Sequence, residues 1–291
     1  MRGGVMHALV TTVVVACVAS AASALDITAC GQVIPGGETG VLQADLDCSG
    51  QPVGTYGVSI ERSGTLDLNG HTLVGPPLQP NGQFGFAVHC PLAPGCDAAS
   101  SGCRGRGKCT VTSSVGLGSV NQGGIVSGHD LVASNVSIVG GFLAADGGRL
   151  TATDVAISGG GIVAKSVRVT DVTVDGAPEH GVRALKRVAG QSLTVTNCGG
   201  AGVAAERVSL DDLTATGNGT DDYDGGGVFA GSCSLRNSTV TGNVISEDGW
   251  VYPVDLFTAR RPRLEATACD RSAVQSGATI PTETWGVCSL D

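Results

Sequence analysis

The sequence predicts an all-β fold: a single parallel β-helix solenoid, disulfide-stapled, with an inserted cysteine-rich loop. Three observations predict it. A short phrase recurs six times between residues 131 and 243, each phrase alternates apolar and polar residues, and the 291-residue composition holds 46 Gly with only 3% aromatic residues. The phrase runs Leu131-Val-Ala-Ser-Asn135-Val-Ser-Ile138, Leu150-Thr-Ala-Thr-Asp154-Val-Ala-Ile157 and Val167-Arg-Val-Thr-Asp171-Val-Thr-Val174. It continues as Val188-Ala-Gly-Gln-Ser192-Leu-Thr-Val195, Val208-Ser-Leu-Asp-Asp212-Leu-Thr-Ala215 and Cys233-Ser-Leu-Arg-Asn237-Ser-Thr-Val240. A small polar residue returns at Asn135, Asp154, Asp171, Ser192, Asp212 and Asn237, with gaps of 19, 17, 21, 20 and 25 residues. Strand-like phrases with a period near twenty mark a solenoid.

Alternation places one face of each strand inside, and the polar residue marks a bend between two strands. A third short strand follows in each repeat: Ile162-Val-Ala-Lys165, Val182-Arg-Ala184, Val203-Ala-Ala205 and Val228-Phe-Ala230. Three strands and three bends make one coil. Stacked coils put like residues over like at about 4.8 Å, so the Asn/Asp positions are expected to form a ladder at the bend. A lone coil cannot bury its apolar face, so stability is shared along the stack. Leucine-rich repeats need a Leu-x-x-Leu-x-Leu frame that is absent, and propeller blades run to about 40 residues or more.

In chain order, residues 1–24 read as a secretory signal: Arg2 opens it, Ala8–Ala22 is apolar, and Ala22-Ser23-Ala24 suits a signal-peptidase site. Val14-Val15-Ala16-Cys17 offers the alternative of a lipid anchor at Cys17. The apolar run is short for a membrane span, so no transmembrane segment is expected in the mature chain, and the expected location is secreted, periplasmic or cell-exterior. Residues 25–50 form an N-terminal cap and first strand, 51–75 the first coils, 76–109 the cysteine-rich loop, 110–245 the regular coils, and 246–291 a last coil and cap. Ten cysteines beyond Cys17 suit an oxidising compartment. Cys30 and Cys48 bracket the start of the solenoid and Cys269 and Cys288 its end, so each is expected to pair. Further pairs are expected among Cys90, Cys96, Cys103 and Cys109, whose spacings do not match a paired zinc site. Cys198 and Cys233 lie two coils apart and are left unpaired.

The phrases Ala29-Cys30-Gly31, Leu66-Asp-Leu-Asn-Gly-His-Thr-Leu73 and Trp285-Gly-Val-Cys288, together with the coils at 131–243, resemble exported right-handed parallel β-helix repeat proteins of the pectin-lyase-like superfamily. The resemblance covers most of the mature chain. It implies a right-handed solenoid but no single activity, because that superfamily includes polysaccharide lyases, glycoside hydrolases, epimerases and members without assigned chemistry. His71 lies in the family phrase and is expected to be a structural turn residue.

The loop after the second strand lengthens in successive coils and brings in acidic residues. It carries Asp175, Glu179 and His180, then Asp221, Asp222, Tyr223 and Asp224, then Glu247, Asp248 and Trp250. Stacked in register, these loops would form an acidic edge. Adjacent carboxylates can bind Ca²⁺ or perform acid–base chemistry on a sugar, while Tyr223 and Trp250 could stack on sugar rings. The plainer reading is that Asp, Asn and Gly suit exposed turns. The loose Asp221-Asp222-x-Asp224 match lacks the distal Glu of a strong calcium loop, so no cofactor is assigned and Ca²⁺ stays an option. A net charge of −9 argues against nucleic-acid binding. The expected function is a binding or structural module, with polysaccharide as candidate partner. The alternative is a polysaccharide lyase or glycoside hydrolase using the acidic edge.

Overall fold

The computed structural model describes residues 24–52, 55–76, 85–91, 107–121, 123–219, 225–247, 250–275 and 283–291; for Glu247 it describes the strand placement alone. The described chain is all strand and turn. Twenty-two strands join into one continuous sheet with parallel pairings, and two more form an antiparallel hairpin. The opening coils are built from short strands, beginning Leu25–Ile27, Gln32–Ile34 and Thr39–Leu42. The middle coils are long strands that turn bends without breaking: Leu143–Ser158, Ile162–Asp175, Val182–Thr196 and Val203–Thr216 each turn two, while Asp130–Val139 and Val228–Arg236 each turn one. No described helix is long and apolar enough to cross a membrane.

Pairing between successive coils defines three faces. The first runs through Leu131, Leu150, Val167, Val188, Val208 and Cys233, paired in that order. The second runs through Val136, Val155, Val172, Leu193 and Leu213, and continues where Thr214 pairs with Thr239. The third runs through Ile125, Leu143, Ile162, Val182, Val203, Val228, Leu256 and Ser272. Inward residues stack into one continuous apolar core. Cys233 is 5% exposed and occupies the position held in earlier coils by Leu or Val, so it acts as a small hydrophobe.

The bend between the first and second faces is the file anticipated from the repeat. Asn135, Asp154, Asp171, Ser192, Asp212 and Asn237 stand one above another, and each has φ between 49° and 58°. What they share is left-handed backbone, which Asn and Asp tolerate better than other side-chain-bearing residues. Among the described residues, the hydrogen bond between side chains of this file is Ser192 Oγ to Asp212 Oδ2, 3.2 Å. A second left-handed file closes the second face: Gly140, Gly159, Gly176, Asn197, Gly217 and Gly242, with φ of 56–69°.

Among the described residues three disulfides fasten the solenoid. Cys30–Cys48 pins the opening segment with Cα atoms 5.7 Å apart, Cys90–Cys109 closes the base of the inserted loop at 6.4 Å, and Cys269–Cys288 ties the last strands to the tail at 5.0 Å. Closed loops of this size stabilise by about 3 kcal/mol each. Cys96 and Cys103 lie outside the described residues, as do the signal-like segment and Cys17. Cys198 and Cys233 are free and buried.

The third face is covered in its last coils. The hairpin of Val244–Glu247 and Trp250–Pro253 folds over it. Ile245, Val254 and Tyr252 pack there against Phe229, Phe257 and Ala273, with the two phenylalanine rings edge-on at 5.5 Å.

Candidate functional site

The acidic edge is described in part. Asp221, Asp222, Tyr223, Asp224 and Asp248 lie outside the described residues. Of the members that are described, Asp175 and His180 hold coils together. Asp175 Oδ1 accepts hydrogen bonds from Thr196 Oγ1 at 2.6 Å and Asn197 Nδ2 at 2.8 Å, both in the next coil. Those two donors hold its carboxyl below the usual carboxylate range. His180 Nδ1 accepts the Ala201 N–H at 3.0 Å, again one coil on. Glu179 is exposed, and its carbonyl accepts the Gly200 N–H at 2.8 Å. Glu247 pairs across the hairpin with Trp250, whose ring is 70% exposed. Among the described residues no group of three or more His, Cys, Asp or Glu side chains is placed to hold a metal ion. His71 meets Asp45 at 3.5 Å.

A different concavity lies on the outside of the first face. Its floor is a column of small outward residues, Ala189, Ser209 and Ser234, in register in three successive coils. Arg168 stands at one end of that column and Arg263 at the other. Arg187 rises along one side and the Asp211–Arg236 pair along the other. The resulting trough encloses about 660 Å³. A second hollow of about 300 Å³ shares Arg168, Arg187 and Ala189 with it and extends the trough to Lys108 and the Arg149–Asp130 pair, 3.3 Å apart. From Arg168 to Arg263 the trough spans four coil steps, about 19 Å at the strand spacing.

Gly190 sits at an inward position of the first face, between Val169 and Leu210. A Cβ there would lie 1.9 Å from the Val169 carbonyl oxygen, and φ is +143°. Only glycine fits this close approach of two backbones.

Asp211 is fully engaged: it takes Arg236 Nη2 at 2.5 Å and Asn237 Nδ2 at 3.0 Å. Arg236 first and Asn237 second hold its carboxyl below the ordinary value. Arg168, Arg187 and Arg263 are exposed and make no ion pair among the described residues. Cations therefore outnumber carboxylates along this face of an acidic chain. Along the chain Arg168, Arg187, Arg236 and Arg263 are separated by 19, 49 and 27 residues, so they never form a basic run. The second position of each recurring phrase, which reads Val132, Thr151, Arg168, Ala189, Ser209 and Ser234, marks the floor and Arg168, but not Arg187 or Arg263.

Sequence reasoning also missed a buried polar column just past the second left-handed file. Gly141, Gly160, Ala177, Cys198, Asn218 and Asn243 occupy one position in successive coils. Asn218, Asn243 and Asp255 are 0%, 1% and 2% exposed. Asn218 Oδ1 accepts the Cys198 N–H at 3.1 Å, and its Nδ2 donates to the Val195 carbonyl at 3.1 Å and to Asn243 Oδ1 at 2.9 Å. Asn243 Nδ2 in turn donates to the Ala215 carbonyl and to Asp255 Oδ1, both at 2.9 Å. Asp255 Oδ2 accepts the Asp270 and Arg271 N–H groups at 2.8 and 3.1 Å. Asn218 also begins a glycosylation sequon, but its burial removes it from any transferase in the folded state.

The fold and the trough define the class: a disulfide-stapled parallel β-helix with a cationic hollow on one face. No family model matches the chain, and no curated protein matches it by sequence. Among solved structures, full-length tailspike protein 2 of the Escherichia coli O157:H7 bacteriophage CAB120 aligns with 82% of this chain and 38% of its own, at 12% identity and a TM-score of 0.30. The chain thus spans well under half of that protein's length.

Proposed function

We propose that the protein is an exported β-helix module, of the pectin-lyase-like type, that binds an acidic polysaccharide in the arginine-lined trough. The single observation that carries this reading is the placement of Arg168, Arg187 and Arg263, without carboxylate partners among the described residues, around a floor of Ala189, Ser209 and Ser234. Guanidinium groups present planar, fixed donors that match carboxylate and sulfate oxygens. A small-residue floor lets an extended chain lie close to the sheet, and the trough's length suits several sugar units. Export is supported by the signal-like N-terminus and by the disulfides, which persist in oxidising compartments.

Binding is favoured over catalysis at the acidic edge because Asp175 and His180 are committed to neighbouring coils. The test is affinity electrophoresis against polygalacturonate, alginate and a sulfated glycan, with neutral dextran as control. The parent protein should be retarded by the acidic gels alone, and retardation should fall as salt rises. Hydrogen bonds to charged groups are worth about 1.5–3 kcal/mol, so the Arg168→Ala/Arg187→Ala pair should weaken retention by about tenfold or more. Equal retention of parent and pair would refute the trough as the binding site. Release of unsaturated or reducing ends from these substrates would support the enzymatic alternative.

A further inference from the structure

The second face differs from the other two. The first and third faces meet at irregular corners, where register shifts fall between Ala145 and Arg149, Ala164 and Ser166, and Ala184 and Arg187. The second face pairs without a shift from Val136–Val139 through Leu213–Thr216, and ends in left-handed files on both sides. Its outward positions carry Thr194 and Thr196, Thr214 and Thr216, and Thr239 and Thr241 in three consecutive coils. Thr173 extends one file by a further coil. Inward neighbours Val195, Ala215 and Val240 are fully buried, so the threonines all point out.

The array is two-dimensional. Its repeat is about 4.8 Å between coils and about 6.7 Å between the two threonines of a strand. Threonine is β-branched, so χ1 is restricted and each side chain holds a hydroxyl and a methyl in a fixed place. No charged or aromatic side chain lies between the pairs; Asp175 adjoins the grid one coil earlier and accepts the Thr196 hydroxyl, which leaves the other hydroxyls of the grid to face solvent. Backbone groups of these strands are spent in the ladder, which leaves no edge for another strand to join.

We propose that this face adsorbs to the surface of ice. A rigid grid of hydroxyls and methyls, bordered at one corner by Asp175, orders first-shell water at a regular repeat in two directions, and ordered water held by hydrogen bonds costs little further entropy to incorporate into a crystal. Crystalline neutral polysaccharide is the competing flat, periodic partner, but it is gripped by aromatic rings, and the grid has none. The face is separate from the arginine trough and owes nothing to that reading.

The test uses the full chain with its disulfides intact, fluorescently labelled, and grown against a single-crystal ice hemisphere, with ice recrystallisation scored in parallel. The parent should label the ice and slow recrystallisation. The Thr194→Lys/Thr214→Lys pair should lose both while its circular dichroism and urea midpoint stay at the parental values. Leu185→Lys, at a 71% exposed position outside this face, should keep both. Failure of the parent to adsorb, or equal adsorption by the lysine pair, would overturn the proposal. So would retention on crystalline chitin or cellulose, without ice adsorption, that the lysine pair abolishes.

Discussion

The two bends that flank the second face solve one geometric problem with different chemistry. At the first, six exposed or half-buried residues from Asn135 to Asn237 take up left-handed backbone, and their side chains reach mostly into solvent. At the second, glycine supplies that conformation in five of six coils, and the next residue turns inward. There Asn218 and Asn243 replace the Gly, Ala and Cys of earlier coils, and with Asp255 they satisfy one another and the backbone in the interior. One file is selected for what its backbone can adopt, the other for what its side chains can donate and accept. A recurrent Asn or Asp in a solenoid thus has two distinct physical meanings.

Substitutions can separate them. Asn243→Leu should have the largest effect. It removes the donor to Asp255 Oδ1 and the acceptor for Asn218 Nδ2 at once. Leaving buried partners unsatisfied costs about 1–3 kcal/mol each, so urea unfolding should show a loss of about 3 kcal/mol or more. Asp154→Val, in the exposed file, should cost about 1–2 kcal/mol through strained backbone alone, while Asp154→Gly should fall within about 0.5 kcal/mol of the parent. If Gly proves as harmful as Val, side-chain hydrogen bonding governs that file as well.

A buried polar group without such a network marks the opposite case. His129 is 4% exposed, and neither ring nitrogen has a hydrogen-bond partner among the described residues. Burial first, then Arg62, hold its pKa below 6.5, against weaker opposing pulls from the Pro91 backbone and Asp130. The unfolded chain therefore takes up the proton more readily than the folded one. The stability this group contributes is present above pH 6.5 and is lost as pH falls from there through the depressed folded value. The urea midpoint should drop over that window, and His129→Phe should flatten the drop.

The smallest effect concerns Cys198, at the head of the Asn218 column, and Cys233, in the apolar core. Burial pushes their thiols up to about 11 and about 12. Maleimide at mildly alkaline pH should leave both unlabelled in the folded protein and label both in urea. Labelling of native Cys198 would mean that the polar column opens to solvent.

The coil was legible because its cause is local and repeated. Apolar residues alternate, a left-handed-tolerant residue follows, and the phrase returns; each instance supports the others. The Cys30–Cys48 and Cys269–Cys288 staples were legible for a related reason, since each brackets one end of the stack over a short stretch of chain. The trough was not. Arg168, Arg187, Arg236 and Arg263 become neighbours only once the register between coils is known, and coil lengths of 17 to 29 residues hide that register in the linear chain. The polar column was hidden as well, because Asn218 and Asn243 follow glycines and look like ordinary turn residues. Their burial depends on the chain returning at Asp255 to cover them.

Period and alternation by themselves therefore determined that this chain winds into stacked coils, and which side of each strand faces in. The tertiary structure decided which charges share a face, which asparagines meet in the interior, and which threonines align into a grid. The physical reason is that a strand's inward side is set by nearest neighbours along the chain, whereas contacts across coils depend on the length of every intervening loop.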